Sequence, residues 1–327
     1  MRILVTGAAG FIGGHVADFL TKAGHQVFGI DNFSKYYSPE MKMAHARVID
    51  VKNVKFGDIT DREFIFHEVN RIAPDQVIHL AAQGGVRASR EDPLPYLKSN
   101  QVGFLHVLQA CEATDVKKFI YASSSSVYGP GATAPFSEDA VLQAPLSLYA
   151  ISKLANENIA RNFPSQGTQR IGLRFFTVYG PWGRPDMAMF RLMASVLLDQ
   201  TFSLTAHLDV KRDFTFVADV AECISAIVDS TSITESSVVL NVAGGNPYTL
   251  AELIETLQEL QLSPKIQKAK TDSMDLKLTH GSVERIRELG LPVPNTSLRD
   301  GVRQTWEWFQ SQTESDIHNW LEYSNRK

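Results

Sequence analysis

The chain has 327 residues, enough for two domains or for one large α/β domain with an appended lobe. Apolar residues make up 44% and charged residues 21% of it, average values for a globular protein, which exclude disordered and collagen-like classes. The 32 Lys and Arg against 36 Asp and Glu leave a net charge of -4 without any basic run, so we expect no nucleic-acid partner.

The cysteines and the apolar runs restrict the class of protein further. Cys111 and Cys223 lie far apart, without a CxxC pair or a neighbouring His, so we expect reduced core thiols and neither a disulfide framework nor a metal site. No uncharged apolar run reaches the roughly 18 residues of a membrane span. A glycine-containing loop occupies the place where a signal peptide would carry its apolar segment, which predicts a cytoplasmic protein without a membrane partner.

Short β-branched runs alternate with longer helical patterns in the first half of the chain. The runs are almost continuously apolar, as in buried parallel strands. Six strands with helical crossovers predict an α/β fold, a doubly wound parallel sheet of the Rossmann type with ligands at the carboxyl ends of its strands. The predicted strands are 2–6, 26–30, 54–56, 76–80, 119–122 and 171–175, and the predicted helices lie near 11–23, 61–71, 97–114 and 148–162.

The spacing of glycines and prolines changes at about residue 177, and the segment Gly180–Pro185 begins a region of shorter elements. These elements predict a smaller C-terminal α/β lobe, with helices near 188–199, 249–260 and 297–311 and strands near 202–204, 213–217 and 238–242. We therefore expect a main domain over residues 1–176 and a second lobe over 177–327, with part of 215–245 returning to the main sheet.

A GxxGxxG loop, Thr6–Gly13, follows the first strand and opens a helix. Without β-carbons, such a loop lets backbone N–H groups approach a pyrophosphate, and the helix N-terminus favours the anion. Asp31 ends the second strand, 18 residues after Gly13, where its carboxylate would accept hydrogen bonds from a ribose and repel a ribose phosphate. This combination predicts NAD as the cofactor, rather than NADP, and makes 1–176 its binding domain. The contacts expected from this region are Gly7, Gly10, Phe11, Ile12, Gly13, Asp31 and Asn32.

Further cofactor contacts are expected after the third and fourth strands. Asp58 and Ile59 follow the third strand, where Asp58 either bonds the adenine edge or is an ordinary solvated turn residue. Small residues end the fourth strand at Leu80, Ala81, Ala82 and Gln83, which would let a dinucleotide lie close to the backbone or would serve helix packing alone. Asn100 is expected as a packing residue beside the cofactor.

Tyr149 and Lys153 lie four residues apart, on one face of a predicted helix. The pKa of tyrosine is near 10, too high for a base at neutral pH, but a neighbouring lysine and a positively charged nicotinamide both favour the phenolate. The serine run 123–126 directly follows the fifth strand, at the edge where ligands bind. The alternatives are that Tyr149 and Lys153 form an ordinary surface pair and that the serine run is a surface loop without a function.

These residues carry a resemblance to the extended short-chain dehydrogenase/reductases of the nucleotide-sugar epimerase and dehydratase group, most closely to the UDP-glucuronate 4-epimerases. The similarity covers most of the chain through about residue 260, and the string Arg174–Met187 is its most specific part. The other matching segments are Thr6–Gly13, Leu80–Arg87, Tyr121–Gly129, Tyr149 with Lys153, and Lys211–Thr215.

The resemblance implies a role for each matching residue. Ser124 would bond the 4-hydroxyl of the sugar, Tyr149 would be the base, and Lys153 would bind the nicotinamide ribose and lower the pKa of the tyrosine. A second set would bind the substrate: Arg87 and Arg212 near the sugar and diphosphate, or as structural ion-pair partners; Ser125, Ser126, Thr177 and Arg184 around a sugar carboxylate; and Asp275, the one recognisable residue of the Arg-Pro-Gly-Asp stretch of the family. The resemblance also implies a homodimer formed through 97–114 and 148–162.

The function implied is NAD-dependent 4-epimerisation of a UDP-sugar, UDP-glucuronate to UDP-galacturonate, through a transient 4-keto sugar. Related dehydratases carry Asp and Glu where this chain has Ser125 and Ser126, which counts against β-elimination because that reaction needs an acid there. The alternatives are a 4-epimerase of another nucleotide sugar, a decarboxylase or dehydratase of the same fold, a net oxidoreductase that uses free NAD, and a cofactor-binding sensor.

Overall fold

The structure is a computed structural model that describes residues 1–49, 54–269 and 276–325. Parallel strands form the main sheet, and shorter strands form two small sheets in the C-terminal part of the chain. The strands are β1 Arg2–Thr6, β2 Gln26–Asp31, β3 Val54–Phe56, β4 Gln76–His79, β5 Lys118–Ser124, β6 Gln169–Phe175, β7 Thr177–Tyr179, β8 Thr201–Leu204, β9 Lys211–Phe216, β10 Ser237–Val242, β11 Pro247–Thr249 and β12 Lys265–Lys268.

Helices connect the strands and cover both faces of the main sheet. They are α1 Phe11–Lys22, α2 Pro39–Val48, α3 Arg62–Ile72, α4 Ala88–Glu91, α5 Phe104–Ala113, α6 Leu148–Asn162, α7 Ala188–Leu197, α8 Val217–Asp229, α9 Leu250–Glu259, α10 Glu284–Glu288, α11 Leu298–Ser311 and α12 Glu314–Asn325. A π-helical segment, Tyr96–Gly103, precedes α5, and a 3₁₀ turn, Ser125–Tyr128, follows β5.

The main sheet has the strand order β10-β6-β5-β4-β1-β2-β3, and every pair in it is parallel. This confirms the predicted doubly wound fold. The order reverses between β1 and β4, so the chain leaves these neighbouring strands in opposite directions and opens a crevice at their carboxyl ends. Thr6, the last residue of β1, pairs with Ile30 on one side and with His79 on the other. The glycine loop begins at this crevice.

Apolar side chains hold one layer of helices on each face of the sheet. Helices α1 and α8 pack on one face through residues such as Val16, Leu20 and Ile224, all without exposed surface. Helices α3 and α5 pack on the other face through residues such as Val69 and Leu108. Burial of apolar surface stabilises the folded state by about 25 cal/mol per Å². The packed helices therefore hold the strands, and with them the strand ends, in place.

The chain enters a second lobe after β6 and comes back to the sheet in β10. Strands β7, β9 and β11 form one small sheet, β8 and β12 form another, and α7, α9, α11 and α12 pack beside them around Met193, Leu257, Phe309 and Trp320. Helix α8 and strand β10, which joins β6 in the main sheet, both lie within 215–245.

Several short elements differ from the sequence prediction. The predicted strand 213–217 is β9, which ends at Phe216 because Val217 already begins α8. The predicted helix 97–114 is a π-helical segment continued by α5. The sequence analysis missed α2, which begins at a Ser38 cap and buries Lys42 and His45 instead of a continuous apolar stripe. It also missed α4, α8, α10 and α12, and strands β7, β11 and β12.

The structure also bears on membranes and metals. Across 1–49, 54–269 and 276–325, none of the helices has both the length and the apolar character needed to cross a bilayer. In the same ranges, His, Cys, Asp and Glu side chains do not gather into groups of three or more that could hold a metal ion. Cys111 and Cys223 are both buried free thiols.

Candidate functional site

Two adjoining cavities lie at the carboxyl edge of the main sheet. The first runs from the glycine loop past the ends of β2, β4 and β5 to helix α6. The second, of about 1290 Å³, lies between the sheet and the second lobe, and is large enough for a ligand of nucleotide-sugar size. The residues that line both cavities are Asn32, Ser34, Gln83, Ser99, Arg184 and Met187.

The glycine loop is packed so tightly that side chains do not fit in it. The N–H of Gly7 donates to the carbonyl of Ile30 at 2.8 Å, and Gly7 has a φ of +73°, a conformation that favours glycine. A β-carbon on Gly13 would lie 2.0 Å from the carbonyl oxygen of Gly7. The loop therefore brings backbone against the first cavity, and Gly10, Phe11 and Ile12 line that cavity with it. This cradle at a helix N-terminus fits the pyrophosphate of a dinucleotide.

Asp31 is 7% exposed and lines the first cavity beside this loop. Its carboxylate accepts hydrogen bonds from the N–H groups of Ala9 at 3.0 Å and Phe33 at 2.7 Å. Each oxygen has a second lone pair, so the carboxylate can also accept bonds from a ribose. Burial raises the pKa of Asp31, while the charge of Lys42 and the backbone hydrogen bonds oppose that rise.

The sequence analysis missed Lys42, a buried cation in the wall of the same cavity. Its Nζ donates to the carbonyl oxygen of Ser34 at 2.8 Å and to the Ser34 hydroxyl at 2.9 Å. Lys42 belongs to α2. Because the sequence analysis did not predict this helix, it could not place Lys42 at the cavity. Tyr37, which precedes α2, also lines this cavity.

Two of the cofactor candidates lie outside the wall of the first cavity. Asp58 accepts a hydrogen bond from Asn32 at 2.9 Å and lines the second cavity, so it orients Asn32. Asn100, 1% exposed, lines neither cavity and bonds both the N–H and the carbonyl of Gln83. The remaining cofactor candidates all line the first cavity: Ile59, Leu80, Ala81, Ala82, Gln83, Tyr149 and Lys153.

Helix α6 carries the predicted base. The Ser147 side chain caps the helix through the N–H of Ala150, which places Tyr149 in the first turn and Lys153 one turn later. The Nζ of Lys153 donates to the carbonyl of Ala122 at 2.9 Å and lies 5.9 Å from the centre of the Tyr149 ring. Both side chains line the first cavity, on the same side as the end of β5.

Burial and neighbouring groups set the charges of this pair. Burial raises the pKa of Tyr149, and a hydrogen bond from Ser124 and the positive charge of Arg184 oppose that rise. Burial lowers the pKa of Lys153 to about 8. In the protein alone, burial, Ser124 and Arg184 therefore set the pKa of Tyr149.

The serine run separates into two kinds of residue. Ser124, which lines the first cavity, accepts hydrogen bonds from the Ser126 N–H at 3.2 Å and the Ser126 hydroxyl at 3.0 Å. Ser125 and Ser126 lie in the 3₁₀ turn and in the wall of neither cavity, and their role as carboxylate donors stays a prediction. The two hydrogen bonds from Ser126 orient the Ser124 hydroxyl.

The other substrate candidates converge on the second cavity. Arg87, Thr177 and Arg212 line it, and Arg184 lies in the wall shared with the first. Arg212 donates to the carbonyl of Leu276 at 2.6 Å. The prediction for Asp275 falls outside the described residues.

A buried ion pair joins helix α6 to the ends of β5 and β6. Arg174 makes two hydrogen bonds to Glu157, at 2.9 and 2.8 Å, and the Ser123 hydroxyl donates to the same carboxylate at 2.5 Å. Burial alone would lower the pKa of Arg174, but the hydrogen bonds and charge of Glu157 raise it above its ordinary value. Both residues are almost fully buried. The network joins α6 to β5 and β6, next to Ser124 and Lys153.

Comparison with known proteins agrees with this geometry. The sequence matches the NAD dependent epimerase/dehydratase family over residues 3–243. Protein CapI of Staphylococcus aureus is 37% identical over 94% of this chain and 98% of that protein. UDP-glucuronate 4-epimerase 4 of Arabidopsis thaliana is 37% identical over 97% of this chain and 77% of its own length.

A solved structure shares the whole architecture. UDP-glucuronic acid 4-epimerase from Bacillus cereus, in complex with UDP-glucuronic acid and NAD, superposes with a TM-score of 0.85 at 31% identity. The likeness covers 95% of this chain and 99% of that one. The family resemblance predicted from the motifs is thereby confirmed: the chain belongs to the NAD dependent epimerase/dehydratase family.

Proposed function

We propose that this protein is an NAD-dependent UDP-sugar 4-epimerase that interconverts UDP-glucuronate and UDP-galacturonate. The observation that carries the proposal is the position of Arg184, which lines both cavities and acts electrostatically on Tyr149. A cation beside the base, in a cavity of nucleotide-sugar size, suits a sugar that carries a carboxylate. Relatives named UDP-glucuronate 4-epimerases, at 34–37% identity, support the same substrate.

The residues around the first cavity fit NAD. The loop 7–13 would hold the pyrophosphate, Asp31 the adenosine ribose and Lys153 the nicotinamide ribose. When bound, NAD supplies a hydride acceptor and donor at carbon 4 of the sugar. Because the cofactor ends the cycle as it began, we expect NAD to stay in the purified protein and added NAD to cause no stimulation.

Tyr149 is the group that moves the proton. Its phenolate removes the proton of the 4-hydroxyl while Ser124 donates a hydrogen bond to the same oxygen, and later the phenol returns the proton. Burial alone keeps Tyr149 protonated, so a positive charge in the site must favour the phenolate. Arg184 supplies one, and Lys153, with its Nζ 5.9 Å from the centre of the ring, would supply a second. The 4-keto sugar must turn within the pocket so that its other face receives the hydrogen.

A glucuronate substrate makes the 4-keto sugar a β-keto acid, which loses carbon dioxide when its carboxylate bond aligns with the carbonyl π-system. Donors that hold the carboxylate out of that alignment protect the intermediate. Arg184 and Thr177 line the second cavity and can supply them. The absence of Asp and Glu at 125 and 126 also argues against dehydration.

Product analysis tests the proposal. Purified protein incubated with UDP-glucuronate should yield UDP-galacturonate by NMR, and Tyr149→Phe should retain NAD while turnover falls by about 10²–10⁴-fold. A UDP-pentose with carbon dioxide would indicate a decarboxylase, and stoichiometric NADH an oxidoreductase. Conversion of UDP-glucose but not of UDP-glucuronate would show that the substrate is a neutral UDP-sugar. Bound NAD without any turnover would indicate a sensor.

We also propose that the protein is a cytoplasmic homodimer that pairs through the segments 97–114 and 148–162. Exposed apolar side chains on these two segments support a partner surface: Leu97 is 47% exposed, Val102 46% and Ile151 49%. Light scattering should give twice the chain mass, and Ile151→Lys should reduce it to that of a monomer. A monomeric wild type would refute the dimer.

A further inference from the structure

Arg184 is held in one orientation by a neighbour two residues along the chain. Its Nε donates to Asp186 Oδ1 at 2.9 Å and its Nη2 to Asp186 Oδ2 at 2.7 Å, a two-pronged pair in which both carboxylate oxygens are used. Burial alone would raise the pKa of Asp186, but Arg184 and a hydrogen bond from Tyr36 lower it, so the carboxylate is ionised at neutral pH.

Tyr36 holds the same carboxylate from a distant segment. Its hydroxyl donates to Asp186 Oδ2 at 3.0 Å, and the guanidinium carbon of Arg184 lies 5.4 Å from the centre of its ring. Burial raises the pKa of Tyr36, so the hydroxyl keeps its proton and remains a donor. Tyr36 follows Asp31 and Asn32 by a few residues, so the cluster Tyr36–Arg184–Asp186 joins the adenosine end of the cofactor site to the sugar site.

The loop after β4 leaves room for this cluster because it carries two glycines. A β-carbon on Gly84 would lie 2.4 Å from Arg184 Nη1, and one on Gly85 would lie 2.0 Å from the Tyr36 hydroxyl. The Tyr96 hydroxyl, within 2.5 and 2.7 Å of the carbonyl oxygens of Gly84 and Gly85, holds the loop in place. The guanidinium therefore packs against Asp186 and Tyr36, and the absence of a side chain at Gly84 leaves the space beside Nη1 open.

The remaining edge of Arg184 is the one available to a substrate. Within the described residues Nη1 has no hydrogen-bond partner, while Nε and Nη2 are both used by Asp186. The side chains of Arg184 and Asp186 are 25% and 31% exposed, and an ion pair that is partly exposed contributes little to folding stability. The arrangement therefore serves orientation more than stability.

We propose that Asp186 and Tyr36 are positioning residues that fix Arg184 with its Nη1 edge toward the sugar, and that they thereby set the preference for a sugar carboxylate. The inference rests on the proposed function. A free arginine would follow the carboxylate as the 4-keto sugar turns, because its long side chain has many rotamers. A fixed guanidinium holds the carboxylate at one angle, out of line with the carbonyl.

Loosening Arg184 should therefore permit a specific side reaction. With the sugar oxidised at carbon 4 by NAD, the bond between carbons 5 and 6 breaks and carbon dioxide leaves. The electron pair enters the enolate across carbons 4 and 5, which takes a proton at carbon 5 to give a UDP-4-keto-pentose. That product either leaves with the cofactor still reduced or takes the hydride back as a UDP-pentose.

Asp186→Asn and Tyr36→Phe, as NAD-bound enzymes, test the proposal. Asp186→Asn should lower kcat/KM for UDP-glucuronate by about tenfold to 100-fold and increase the decarboxylated fraction of product. Tyr36→Phe should do the same to a smaller extent, and the double variant should match Asp186→Asn because Tyr36 acts through Asp186. The Kd for UDP, which has no sugar carboxylate, should change less than threefold by calorimetry. Glu307→Gln, which removes an exposed pair with Arg303, is the matched control and should change nothing.

The outcomes separate the two proposals. A wild type that binds UDP but never converts UDP-glucuronate would refute the proposed function. A wild type that epimerises, with variants that lose affinity for UDP and UDP-glucuronate equally, would make Asp186 merely structural. Unchanged activity and product ratio in both single variants would also overturn the inference. Tyr36→Phe removes one oxygen only, so it decides the question even if Asp186→Asn fails to fold.

Discussion

Replacing Gly13 by alanine tests whether the bare glycine loop is what admits the cofactor. The new β-carbon would lie 2.0 Å from the Gly7 carbonyl oxygen, whereas ordinary contacts of this kind begin at 3.4 Å. The two backbones must therefore separate by about 1.4 Å, the difference between 3.4 and 2.0 Å. Gly7 is itself packed against Ala81, whose nitrogen would be 2.7 Å from a β-carbon at Gly7. A shift of that size costs about 100-fold in function, and overpacking costs about 1–3 kcal/mol of unfolding free energy.

The assay measures NAD released from purified, acid-denatured protein, with urea unfolding in parallel. Gly24→Ala is the matched control, since Gly24 has a φ of +89° but open space around its β-carbon position. It should lose about 1–2 kcal/mol of stability through backbone strain and keep its NAD. Full NAD content and turnover in Gly13→Ala would refute the steric argument. Equal NAD loss in both variants would assign the loss to general destabilisation.

Two further predictions concern the base and its support. Burial raises the pKa of Tyr149 and turnover needs its phenolate, so the rate should rise with pH; Lys153→Met removes a cation and should move that rise to higher pH by about one unit or more. An unchanged pH profile would mean that Lys153 does not act on the phenol. Glu157→Gln should cost about 3–5 kcal/mol in urea unfolding, because it leaves the buried Arg174 charge without its carboxylate, whereas the exposed Glu307→Gln should cost less than about 1 kcal/mol. Similar losses of unfolding free energy in the two variants would show that burial does not make the Arg174–Glu157 pair more important for stability than an exposed pair.

Local patterns in the sequence predict the features that depend on neighbouring residues. Continuous apolar runs predict the buried parallel strands, and the spacing of the glycines predicts a loop that faces the first cavity. The four-residue interval between Tyr149 and Lys153 places both on one face of α6, because the helix repeats every 3.6 residues. Each of these features is encoded within one element and its two ends, so no knowledge of the rest of the fold is required.

Motif position alone was a poorer guide to which side chains reach the cavities. Asn100 and Ser126 lie next to predicted ligand contacts in the sequence, yet they bond to Gln83 and Ser124 and line neither cavity. Asp58 bonds Asn32 and lines the second cavity instead of the first. A strand end carries consecutive side chains in different directions, and only the packing of the next element decides which one faces the ligand.

Contacts between distant segments were decided by the tertiary structure alone. Tyr36 and Asp186 are 150 residues apart, and they meet because the segment before α2 and the loop before α7 close over the same crevice. Lys42 enters the cofactor cavity on a helix whose buried face is partly polar, which leaves no apolar repeat to predict it. Periodicity specifies elements and their faces, whereas the pairing of faces across the crevice follows from how all the layers pack together.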